Sequence, residues 1–85
     1  MKRRFEVLVT LKEGLLDPQG KTVEDALPRM GWTNVSDVRV GKVVEMTVDA
    51  GTEDEARSTA EQVAAKLLAN PVIEDVRILS MEDVT

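Results

Sequence analysis

The apolar residues of this chain change period four times, and that alternation restricts the fold more than any single motif. From Phe5 to Leu11 they recur every second residue, as Phe5, Val7, Val9 and Leu11, which is the repeat of a strand with one buried face. From Val23 to Met30 the repeat becomes helical, through Val23, Ala26, Leu27 and Met30. Two further apolar runs follow, Val35 to Val40 and Val43 to Val48, separated by Gly41 and Lys42 as the expected hairpin turn. A second helical stripe, Ala56, Ala60, Val63, Ala64, Leu67 and Leu68, then precedes a last run from Val72 to Met81. With 85 residues the chain is long enough for one two-layer core and too short for a second, so a single domain over 1–85 is expected.

The element boundaries are marked by side chains with clear physical roles. Asp17 is an N-cap residue and Pro18 sits where a missing N–H costs nothing, so the first helix is expected to start there. Pro28 should kink or shorten its last turn, and Gly31 is placed to end it. Thr52 followed by Glu55 forms a capping box for the second helix, which Asn70 and Pro71 should end. Trp32 is expected to cover the rim of the core, and the tail beyond Met81 is expected to fray. Strand, helix, strand, strand, helix, strand is the ferredoxin-like βαββαβ plan, an α+β two-layer sandwich with two helices on one face of an antiparallel sheet.

That plan turns a local irregularity into a functional clue. Leu8, Val43, Leu79 and Met81 fall on the alternate face of their runs, which no helix of the same chain would cover. Base-stacking domains of this plan use that face with aromatic residues, whereas here it is aliphatic and Phe5 and Trp32 are the chain's aromatics. Protein association is therefore expected there, as a homodimer or higher even-numbered oligomer.

Composition excludes much of the usual chemistry. The chain has no cysteine and no histidine, which removes thiol nucleophiles, thiolate metal sites, the commonest metal ligand and the usual general base. A net charge of −5 argues against a phosphate-tracking surface, so no nucleic acid is expected as partner. No apolar run approaches the roughly 20 residues of a membrane span. The start, Met1 to Glu6, is charged and alternating instead of entering a signal-peptide stretch, so a cytoplasmic location is expected. Glu53, Asp54 and Glu55 read as first-turn acids favoured by the helix macrodipole, and no metal site is assigned to them. Gly14 and Gly20 flank Asp17, but the cap carboxylate stands where a phosphate would sit. Leu15 and Leu16 lack the usual staple partner, since Lys21 occupies that position, and they need a core niche or a partner protein. Lys12, Arg39 and Lys42 form a small basic group if their loops converge, or are ordinary solvated charges around a hairpin.

Three blocks, read together, resemble one family. They are Lys12 to Lys21 (KEGLLDPQGK), Asp37 to Lys42 (DVRVGK) and Lys66 to Glu74 (KLLANPVIE), in the family's order and at its usual spacing. The chain so resembles PurS, the small subunit of phosphoribosylformylglycinamidine synthase. The resemblance implies a non-catalytic subunit of an ATP-dependent carbon–nitrogen ligase in purine biosynthesis. It would bridge a glutaminase and a large synthetase and assist ammonia transfer to formylglycinamide ribonucleotide. It implies no cofactor on this chain, with ATP and magnesium used by the synthetase. Among the matching positions, Lys12, Gly14, Asp17, Pro18, Gln19, Gly20, Arg39, Gly41, Lys42 and Asn70 are candidates for shaping or making the partner contact. A small-molecule-sensing module of ACT-like type shares the element order and stands as the alternative, with an acylphosphatase-like hydrolase third.

Overall fold

The computed structural model describes residues 1–84, so Thr85, in the tail expected to fray, lies outside the described residues. The elements run β1 (Lys2–Leu11), α1 (Pro18–Ala26), β2 (Lys42–Asp49), α2 (Glu53–Val63) and β3 (Glu74–Asp83). They make an α+β fold of two helices and a three-stranded antiparallel sheet with β1 central, in the order β2-β1-β3.

The expected helix ends are in place. Asp17 caps α1 by accepting a hydrogen bond from the Gly20 N–H at 2.9 Å, and Thr52 caps α2 by accepting from the Glu55 N–H at 3.1 Å. Glu55 reaches back to the Gly51 N–H at 3.2 Å, one residue earlier than a standard capping box. Pro28 does shorten α1: the helix stops at Ala26, a 3₁₀ turn spans Pro28–Met30, and Gly31 ends it with φ of 99°.

The core lies between β1 and α2. Its buried residues are Phe5, Val7, Val9, Ala56, Ala60 and Ala64, with Met46, Val48, Val76 and Ile78 packed against them. Small alanines on α2 let the helix backbone approach the sheet, and the bulk is supplied by Phe5 and the strand valines.

Several expectations fail for identifiable reasons. One of the four expected strands, Val35 to Val40, is absent, and so is the hairpin at Gly41 and Lys42: the segment carries no strand, and β2 begins at Lys42. Its backbone donors are taken by carboxylates of the α1 region, as described below. Met81 is not on the open face. A bulge pairs Glu6 with Ser80 but Val7 with Ile78, leaving Leu79 as the extra residue, and this returns Met81 to the core face opposite Phe5. Directly after α2 the chain continues as a π turn, Ala64–Leu68, in which Leu67 is turned out to 79% exposure. The strand β3 continues past Met81 to Asp83, and the Val84 N–H donates to the Lys2 carbonyl at 3.1 Å.

The α1 half is thinly packed. Gly20 is its one buried residue, while Val23, Met30 and Trp32 stay outside, so neither the helical stripe nor Trp32 closes the core. The Cα radius of gyration is 16.3 Å, against about 12 Å for a compact chain of this length.

Candidate interaction site

The candidate residues gather around the end of β1, where the chain turns into α1. Leu15 N–H donates to the Lys12 carbonyl at 3.2 Å, and Gly14 adopts φ of 85°, the left-handed conformation that favours glycine. The Lys12 N–H donates to the Ile73 carbonyl at 2.9 Å, and its ammonium pairs with Asp75 at 3.0 Å. Those two links tie the turn to the beginning of β3.

Asp17 then does two things at once. One carboxylate oxygen caps α1; the other accepts a hydrogen bond from the Val40 N–H at 2.7 Å. Glu24, further along α1, accepts from the Val38 N–H at 3.0 Å. Arg39, between these two residues, donates from its guanidinium to the Leu11 carbonyl. The Val38 and Val40 N–H groups are therefore held by carboxylates of the α1 region, which accounts for the missing strand. Two glycines permit the approach. A Cβ on Gly20 would run into the Val38 carbonyl, and a Cβ on Gly41 would run into the Val9 carbonyl.

The electrostatics follow from that geometry. The Gly20 N–H above all, then the Val40 N–H, hold the Asp17 carboxyl below its ordinary value of 3.8; the Gln19 N–H and the Arg39 charge act in the same direction, against partial desolvation. A carboxylate accepting several backbone N–H bonds resists protonation, so this joint persists through neutral and mildly acidic pH.

The three cations have separate surroundings, with Lys12 paired to Asp75 and Arg39 bonded to the Leu11 carbonyl. Lys12, Arg39 and Lys42 line three different clefts, the last two on either side of Gly41. Pro18 and Gln19 lie with Lys42 along a cleft of about 370 Å³. Leu15 and Leu16 find no core niche and are 46% and 75% exposed. Asn70 organises a separate turn: its carbonyl accepts from the Ile73 and Glu74 N–H groups, and its side chain accepts from the Val72 N–H at 3.0 Å. Glu24 is the member that sequence reasoning missed, because its partner is a backbone N–H and leaves no trace in the side-chain pattern.

The class so defined is a small α+β domain without histidine or cysteine that exposes apolar side chains around a hydrogen-bonded turn. Comparison with known proteins gives that class its particular member. The family model for PurS, phosphoribosylformylglycinamidine (FGAM) synthase, matches residues 4–82, and the chain belongs to this family. The PurS subunit of phosphoribosylformylglycinamidine synthase from Bacillus subtilis is 45% identical over 74 residues, covering 87% of each chain. The solved structure of Thermus thermophilus PurS superposes with a TM-score of 0.88 at 39% identity, over 100% of both chains. A chain in the structure of PurLQS from Thermotoga maritima superposes with a TM-score of 0.81 at 30% identity, over 93% of this chain and 99% of that one. The protein is thus a PurS subunit of the purine-biosynthetic FGAM synthase, part of an enzyme complex. The ACT-like alternative gains no support from these matches, and among the described residues no helix is long and apolar enough to cross a membrane.

Proposed function

We propose that this chain joins the glutaminase and the ATP-dependent synthetase of its complex and assists the passage of ammonia between them, without an active site of its own. The observation that carries the reading is the match, over nearly its whole length, to a chain found in a PurLQS assembly. The residue inventory agrees: without thiol, imidazole or phosphate loop, the chain lacks the groups that glutamine hydrolysis and ATP use ordinarily require. ATP and magnesium are assigned to the synthetase, and the assembly to the cytoplasm. The turn built on Lys12, Asp17, Pro18, Gln19, Gly20, Arg39, Gly41 and Lys42 is the proposed partner contact, with exposed Leu15 and Leu16 beside it.

Self-association belongs to the same proposal. Leu8 and Val43 are direct cross-strand neighbours on the face opposite the core, Val43 is 51% exposed, and the bulged Leu79 is 44% exposed. A chain with so small a core and so large a radius gains most from covering them with a second copy.

Reconstitution tests the bridging role. Omitting the chain is expected to abolish glutamine-dependent amidine formation while the synthetase still uses added ammonium; equal glutamine-dependent rates with and without it would refute bridging.

A further inference from the structure

The open face of the sheet carries two charge features that enter no ion pair among the described residues. On the first, Glu6 of β1 stands directly opposite Glu45 of β2. Like charges directly opposite one another weaken a strand pair. Neither carboxylate enters an ion pair among the described residues.

The second feature lies one row away. Two residues further along β1, about 7 Å by strand geometry, Leu8 has Val43 on one side and Arg77 on the other. Arg77 also has no ion-pair partner among the described residues. It shares with Arg39, Leu8 and Thr10 a cleft of about 710 Å³. Asp75 and Glu13 line the same cleft; Asp75 is already engaged by Lys12, and Glu13 is exposed. Arg39 spends part of its fork on the Leu11 carbonyl and keeps further N–H donors for a second acceptor. In a chain of net charge −5, two guanidinium groups in one cleft beside an aliphatic centre form a discrete socket for carboxylates.

A two-fold interface joins each surface patch to its counterpart reciprocally, so a face that carries both the socket and its complement suits a second copy of itself. We propose that, in the self-associated form argued above, the Glu6–Glu45 pair of one copy enters the Arg39–Arg77 cleft of the other. The inference rests on that self-association and adds its charge register. Each contact relieves the repulsion between the two glutamates and neutralises a free arginine, while Leu8 and Val43 fill the space between.

A charge swap followed by analytical ultracentrifugation tests this. Arg77→Glu and Glu45→Arg are each expected to raise the dimer dissociation constant on the order of tenfold or more. The double variant Arg77→Glu with Glu45→Arg should recover most of that loss, and raising the salt should weaken the wild type more than the neutral Arg77→Gln variant. Circular dichroism separates unfolding from dissociation, with Arg39→Glu and Glu6→Arg as the second reciprocal pair. Single reversals that leave dimerisation unchanged, or a double variant whose losses simply add, would overturn the pairing while leaving self-association intact. A wild type that is monomeric at micromolar concentration would overturn both, independently of the glutamine and ammonium rates that test bridging.

Discussion

The two helices of this protein are attached to the rest of it by different physics. The helix α2 and the π turn that continues it lie on the sheet through Ala56, Ala60 and Ala64, all buried, against Phe5, Val7 and Val9. In the α1 region only Gly20 is buried, and the link to the rest of the chain is made by the Asp17 and Glu24 carboxylates and the Arg39 guanidinium, each bonded to backbone. Apolar burial is non-directional and needs area, whereas these polar ties are few and directional and fix a geometry without covering a surface. The consequence is visible in the leftovers. Val23, Met30 and Trp32 remain 44%, 66% and 51% exposed beside the polar joint, apolar surface that the proposed partner contact would cover.

The apolar attachment of α2 is the more costly of the two to damage. Phe5 is fully buried at the centre of the sheet, between Met46 and Met81 in the register of its neighbours. Phe5→Ala should cost about 3–5 kcal/mol by removing a large core side chain and leaving a cavity. Urea unfolding followed by far-ultraviolet circular dichroism would show it as a much lower midpoint. A loss below about 1 kcal/mol would mean that the β1–α2 core is not the principal source of stability.

The polar end should respond less in energy and more in location. At Gly41 a side chain would meet the Val9 carbonyl, a backbone atom that cannot swing aside. Gly41→Val is therefore expected to push the preceding segment off β1 and to destabilise by about 1–3 kcal/mol, the usual scale of overpacking. Hydrogen exchange should accelerate at the Val38 and Val40 amides before it does at Ala60. Uniform acceleration through α2 would show that the two regions are one cooperative unit.

How much of this was legible beforehand depends on the range of each interaction. Asp17 with Pro18, Gly31, Thr52 and Asn70 with Pro71 act within a few residues of themselves, and each marks its boundary as read. The alternate residues Phe5, Val7 and Val9 likewise declare a buried face. The failures are long-range. Val35 to Val40 has the composition of a strand, but the acceptors for the Val38 and Val40 N–H groups come from Glu24 and Asp17, and side-chain periodicity does not encode where a backbone donor goes. Leu79 and Met81 are both apolar, so a bulge that changes their phase leaves no mark in the pattern. The π turn at Leu67 is hidden in the same way by a run of residues that all favour helix. At the candidate site the turn residues were legible as a group, whereas Glu24 and Arg77 were not, because each looks like an ordinary solvated charge until the fold sets its neighbours.

The smallest effect, and the most local, is the acid sensitivity of the Asp17 joint. Its folded carboxyl is held below the ordinary value of 3.8, first by the Gly20 N–H and next by that of Val40. A depressed carboxyl contributes stability that is fully present above the unfolded value and is lost as pH falls through the folded one. The joint should therefore be intact from neutral pH down to the ordinary carboxylate range and should open only on further acidification, with α1 and the Val38 to Val40 segment loosening ahead of the apolar β1–α2 core. In a pH titration by nuclear magnetic resonance, the Gly20 and Val40 amide protons should shift together with one midpoint below 3.8. In Asp17→Asn that shared step should vanish, because the amide no longer titrates and offers one oxygen where the carboxylate offered two. Separate midpoints for the two amides, or an identical profile in the variant, would mean that a different group holds Val40 and that the polar attachment of α1 does not run through Asp17.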